Sequence, residues 1–178
     1  MVGLRKGSCY RRLERPYTRK SKYKDKAYIK AMTQHKISRF EMGNKKGLYD
    51  YKVTLVSKDT LQLRQNAIES ARLVVNRKME TNLGTDYFLI INVYPHHALR
   101  ENKMLGGAHA DRLQTGMGQA FGKVINVAAQ VKKGKILFTA FVKKSALEST
   151  KLAFKSASPR MPCRVSIEVE PFSGSISA

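Results

Sequence analysis

Four histidines, two cysteines and a run of glycines are the groups from which a reaction centre could be built. His96 and His97 are adjacent, and His109 stands two residues before Asp111. Such groups could bind a metal or exchange a proton. Neighbouring side chains on a strand face opposite ways, so His96 and His97 chelate poorly. They read instead as one packed residue and one phosphate neighbour. His109 with Asp111 could serve a small nuclease, but a glycine-rich segment does not preorganise a site alone. Cys9 and Cys163 lie at opposite ends of the chain without CxxC spacing. That argues against a disulfide framework and a zinc site on paired cysteines, and fits a reducing cytosol. Gly116, Gly118 and Gly122 are spaced G-x-G-x-x-x-G with no clear strand feeding them, unlike a dinucleotide fingerprint. No Walker A sequence is present. The expectation is a non-enzyme with no catalytic residue, cofactor or metal.

The chemistry that remains is charge. Lys plus Arg number 34 against 13 Asp plus Glu, a net +21 at pH 7 with a sequence pI near 10.2. A field of that sign draws polyanions, and nucleic acid is the commonest in a cell. The excess is uneven. Residues 1–30 hold eleven cations and two acids, or +9 of the total. Among them are Arg5, Lys6, Arg11, Arg12, Arg15, Arg19, Lys20, Lys22 and Lys24, interleaved with Tyr10, Tyr17, Tyr23 and Tyr28. Cations neutralise phosphates and tyrosine rings stack on unpaired bases, which suits RNA. Few aliphatic side chains occur there, so the segment is expected to be a basic arm that orders only against something else.

Residues 100–123 fit neither helical nor strand periodicity. Gly106, Gly107, Gly116, Gly118 and Gly122 fall here, with Arg100, Lys103, Arg112 and Lys123 supplying cations. A loop this long inside a compact domain is functional or disordered, and glycine permits close backbone approach to a ligand. The reading is a finger that orders on RNA, with Met104 and Met117 as adaptable apolar contacts.

Elements must hold arm and finger in place. Lys36–Phe40 alternates as a short strand, 43–47 is a turn, and Lys52–Ser57 is β-rich. Ala67, Ile68, Ala71, Val74 and Val75 form one stripe of a helix over about residues 60–81. Asp59 with Gln62 is its capping box and Gly84 its stop. Tyr87–Tyr94 reads as a buried strand ended by Pro95. Val124–Val131 and Ile136–Val142 are two strands, with 132–135 between them as a hairpin signal. Ser145 with Glu148 caps a second helix, Pro159 and Pro162 bound its end, and Val165, Ile167 and Val169 alternate in a last strand.

The chain has 178 residues, of which 42% are hydrophobic, enough for one domain with a real core. The element order predicts an α+β sandwich: a mixed or antiparallel sheet with two helices on one face. The basic N-terminal arm would be 1–30 and the globular domain 31–178, with the glycine-rich loop 100–123 inserted. No run of 18 apolar residues exists, so nothing is expected to span a bilayer. No apolar segment follows the N-terminal charges, so no secretory signal is expected.

Three stretches carry a resemblance. Asn102-Lys103-Met104-Leu105, residues 110–117 (Ala-Asp-Arg-Leu-Gln-Thr-Gly-Met) and Ala120-Phe121-Gly122-Lys123 resemble the signature of the archaeal and eukaryotic L-ten-e ribosomal proteins, within the wider L-sixteen family. Cys9-Tyr10-Arg11, Pro16-Tyr17 and Tyr94-Pro95-His96 are similar to the same family. The chain stops at residue 178, without the eukaryotic C-terminal extension, and lacks the lysine-glycine loop of bacterial relatives. Both departures point to an archaeal-type member. The resemblance implies a cytoplasmic, ribosome-bound constituent of the large subunit. Its partners would be large-subunit rRNA, the tRNA acceptor arm beside the peptidyl transferase centre, and neighbouring ribosomal proteins. It implies neither a membrane nor a small-molecule substrate. Lys103, Met104, His109, Arg112 and Gln114 would lie near tRNA, and Arg100, Lys123 and the arm would touch rRNA. The rival readings are a small RNA-processing nuclease and a DNA-compacting protein. The arm tyrosines and the lack of a recognisable DNA-reading helix disfavour the latter.

Overall fold

The computed structural model describes residues 5–13, 29, 31–102 and 122–175. Its elements in chain order are β1 (Glu41–Gly43), β2 (Leu48–Ser57), β3 (Leu61–Arg64), α1 (Gln65–Leu83), β4 (Tyr87–Ile91), β5 (His97–Glu101), β6 (Lys123–Val131), β7 (Ile136–Val142), α2 (Leu147–Ala157) and β8 (Val165–Ser175). A 3-10 turn at Gly7–Tyr10 precedes them. The strands form two sheets, β1-β4-β7-β2-β8 and β3-β6-β5. Every pairing is antiparallel. The α+β class holds, but two antiparallel sheets stand where one was expected.

One core joins both sheets and both helices. α1 turns Ile68, Ala71, Val75 and Met79 inward, and α2 contributes Ala153, Phe154 and Ala157. They meet Val53 and Leu55 of β2, Leu89 and Ile91 of β4, Phe138 and Ala140 of β7, and Leu61 and Leu63 of β3. Fully burying each Ile, Val, Leu, Met or Phe contributes about 1.5–3 kcal/mol, so this face fixes where both helices sit. A smaller cluster of Tyr49, Phe88 and Phe141, with Ile90 and Phe172 packed on it, is separate from that core.

Several local expectations fail for identifiable reasons. Lys36–Phe40 is not a strand: the Lys36 N–H is taken by the Gln65 side chain (2.9 Å), and pairing begins at Glu41. The first helix begins at Gln65, because residues 61–64 pair with β6 instead. The Asp59/Gln62 capping box does not form. Asp59 binds Arg164, and the Gln62 amide donates to the Tyr10 carbonyl (3.1 Å). At the other end Gly84 stops the helix as expected, at φ +60, its N–H reaching Glu80 O. Ser145 and Glu148 likewise make no cap; residues Lys144–Ala146 form a 3-10 turn that leads directly into α2.

The largest departure is the expected hairpin. β6 and β7 are both strands, but β6 joins the three-stranded sheet and β7 the five-stranded one. The turn between them is a corner. Its Gly134 N–H bonds Ser57 O (2.8 Å), and Lys135 O accepts from Ser57 N (3.0 Å). Both bonds run to the end of β2.

Candidate nucleic-acid interface

The legs of the 100–123 segment are more regular than expected. Arg100 and Glu101 end β5, Lys123 begins β6, and the two strands pair with Glu101 opposite Lys123. Gly122 sits at the stem with φ +132. A Cβ there would lie 3.0 Å from the Glu101 carbonyl carbon and 3.2 Å from Asn102 N. Only glycine lets the two legs close to this distance without strain.

The base of the N-terminal arm packs against the same stem. The Arg5 Nε donates to Glu101 Oε1, and the Tyr10 hydroxyl stands 3.5 Å from Glu101 Oε2. Arg64, at the end of β3, donates from Nη1 to Arg5 O (3.0 Å), and its guanidinium lies 5.9 Å from the Tyr10 ring centroid. Gln62 N donates to Arg11 O (2.9 Å) along the outer edge of β3. Residues 5–11 therefore touch both edge strands of the three-stranded sheet. The expectation that the whole arm orders only against a partner is corrected for this part: it docks on the body. The cause is Glu101, an acid in a basic neighbourhood. Its hydrogen bond first, and its charge second, raise the Arg5 pKa. Burial first, and Glu101 second, push the Tyr10 hydroxyl up, so it stays protonated.

Lys6 and Lys123 are exposed near this stem, and Arg11 and Arg12 are exposed where Arg11 O meets Gln62, opposite Gln130 toward the other end of β6. Among the described residues none of them is in an ion pair, so their charge is directed outward. Arg100 is half-buried. The remaining expected contacts lie outside the described residues: Arg15, Tyr17, Arg19, Lys20, Lys22 and Lys24 in the arm, and Lys103, Met104, His109, Arg112 and Gln114 in the loop.

Residues 13–168 match the family model described as ribosomal protein L16p/L10e. The chain belongs to the L16p/L10e ribosomal protein family. Three archaeal relatives, each called large ribosomal subunit protein uL16, are similar along nearly the whole length. The Metallosphaera sedula protein is 45% identical over 172 residues, 94% of this chain and 95% of the relative. The Staphylothermus marinus protein is 45% identical over 170 residues, 94% of each. That of Saccharolobus islandicus is 44% identical over 172 residues, 94% and 93%.

In this family member the residues that build the stem are not the ones charge alone singles out. Glu101, Gln62 and Arg64 anchor the arm, and Gln65 and Asn126 lock β6 to the start of α1. The Gln65 Nε2 donates to Asn126 Oδ1 (2.7 Å), which also accepts from Val127 N (2.9 Å). The one signal for Glu101 is its sign, an acid beside Arg100 and Lys103. Of the histidine pair, His97 opens β5 and is half-buried while His96 is exposed, its ring 4.5 Å from Tyr94. Burial lowers the His97 pKa, and the neighbouring His96 lowers it further. Among the described residues no cluster of His, Cys, Asp or Glu could hold a metal. No described helix is long and apolar enough to cross a membrane.

Proposed function

We propose that this chain is a structural constituent of the large ribosomal subunit, located in the cytoplasmic ribosome. The match of residues 13–168 to the L16p/L10e family carries this reading. It adds no catalytic group. Its contribution is to neutralise phosphate and hold rRNA in register, since phosphate contacts position while carrying no sequence information. Lys6 and Lys123 meet rRNA backbone near the stem, and Arg11 and Arg12 meet it along the outer edge of β3. The rest of the arm, with Arg15, Tyr17, Arg19, Lys20, Lys22 and Lys24, extends that contact. The 103–121 segment reaches toward the tRNA acceptor arm, with Lys103, Met104, His109, Arg112 and Gln114 nearest it.

Two features support this reading. Glu101 and Gly122 bring the two ends of the segment together where β5 and β6 pair. The cations at its base belong to elements that pack on the same sheet. The test is a K103A/R112A double variant, assayed for incorporation into large subunits and for tRNA binding by the reconstituted ribosome. Incorporation stays near normal and tRNA binding falls. Failed incorporation with normal tRNA binding would refute the loop's role.

A further inference from the structure

The far end of the three-stranded sheet carries a second concentration of charge. There the end of β2, the turn leading into β3, the 132–135 corner and the start of β8 converge. Lys58, Lys132, Lys133 and Lys135 are exposed, and the Arg164 side chain is 82% exposed. Asp59 is the acid among them, and it is held by Arg164 (Nη2 to Oδ1, 2.8 Å). The corner therefore carries five cations and one acid, a net +4.

This corner is rigid. Lys58 N donates to Arg164 O (2.9 Å), and Lys135 N to Lys132 O (3.1 Å). Lys133 N donates to Thr60 Oγ1 (3.1 Å), and Arg164 N to Asp59 Oδ2 (2.9 Å). With the two Ser57 bonds already described, the segments are laced together by backbone bonds and by the Thr60 and Asp59 side chains. The lysine stems are thus presented from fixed positions, which lowers the entropy lost on binding a polyanion. Holding like charges together costs stability unless an anion binds there.

We propose that this corner is a second docking surface for RNA backbone, separate from the loop stem. The proposal rests on the ribosomal reading above and assigns it a further contact. Apart from Thr60, the corner's exposed side chains are cations, without the aromatic anchors that dominate protein–protein hot spots. Lysines act as point charges on phosphate without reading sequence. β6 spans the distance between the two surfaces. From Lys123 to Val131 it runs about 27 Å at the usual rise of about 3.4 Å per residue. Cations at both ends of one strand let a single chain hold two separate stretches of RNA backbone at that spacing.

The test compares three full-length proteins binding isolated large-subunit rRNA across a salt series: the wild type, K132A/K133A/K135A and K132R/K133R/K135R. The substitutions leave the corner's backbone bonds in place. The alanine variant loses about 2–3 units of the slope of log affinity against log salt, at roughly 0.7–0.9 per phosphate released. The arginine variant keeps the wild-type slope. An unchanged slope in the alanine variant, with a salt-sensitive wild type, overturns the corner alone. A wild type that ignores rRNA overturns the ribosomal reading and the corner with it. A photoreactive benzoylphenylalanine placed at Lys133 in assembled subunits supplies the second readout. An RNA adduct supports the proposal, and a protein adduct or none overturns it.

Discussion

Replacing Lys6, Arg11, Arg12 and Lys123 together with alanine removes the outward charge of the docked arm base and the loop stem. Arg5 is left intact because it is committed to Glu101. All four side chains are exposed, and their backbones are fixed by the 3-10 turn, the Gln62–Arg11 bond and β6. If each neutralises one phosphate, the slope of log affinity against log salt falls by about 3. Between 50 and 200 mM salt the wild type then loses about 50- to 150-fold more affinity than the variant. Fluorescence anisotropy with a labelled large-subunit rRNA fragment at several salt concentrations reads this directly. Circular dichroism confirms that the variant is folded. A control removes equal charge from the helices, as R77A/K78A/K151A/K155A. An unchanged slope in this variant, or an equal fall in the control, would refute the assignment of phosphate contacts to the arm base and stem.

Other consequences concern the scaffold. Gly122→Ala forces a Cβ against the Glu101 carbonyl at φ +132 and costs about 1–3 kcal/mol by urea unfolding. Gly134→Ala, at φ +81 with open space around its Cβ, costs less; the reverse ranking would show that the loop legs do not close as described. Gln65→Leu strands the Lys36 N–H and removes one donor from Asn126 Oδ1, destabilising by about 1–3 kcal/mol, and a neutral result would remove this network from the account. His97 has a folded pKa below its ordinary value, so the unfolded chain takes up the proton first as acid is added. Stability therefore falls as pH drops through about 6.5 and levels off below the folded pKa. Urea midpoints measured across that range show the slope, and His97→Gln flattens it; an identical slope in the variant would assign it to another group.

Long-period patterns were legible in the sequence. The apolar stripe of α1, the Gly84 stop and the β-rich runs of β2, β4, β7 and β8 all form; α1, β2, β4 and β7 bury a face in the shared core, and β8 packs Val165 and Ile167 against it. What failed depends on partners distant in sequence. Asp59 and Gln62 have the spacing of a capping box, yet Arg164 and Tyr10 claim them. β5 hides because only Ala98 and Leu99 of its five residues are buried, and a strand with so few inward side chains looks like loop. The 132–135 turn has hairpin chemistry, but its backbone groups are satisfied by Ser57 of β2, so the flanking strands go to different sheets. At the interface, the surplus of cations and the tyrosines were visible, and so was the oddity of 100–123. The docking of residues 5–11 was not, because it turns on Glu101, ninety-odd residues away and opposite in sign to the signal being followed.

The central claim is that this surplus charge exists to seat the chain among rRNA phosphates of the large subunit. Sedimenting a native lysate through a density gradient and probing each fraction for this polypeptide tests it most directly. The account predicts that the chain travels with the large subunit and with intact ribosomes, and leaves the particle under high salt. A chain that stays at the top of the gradient at physiological salt, free of every ribosomal particle, would contradict it.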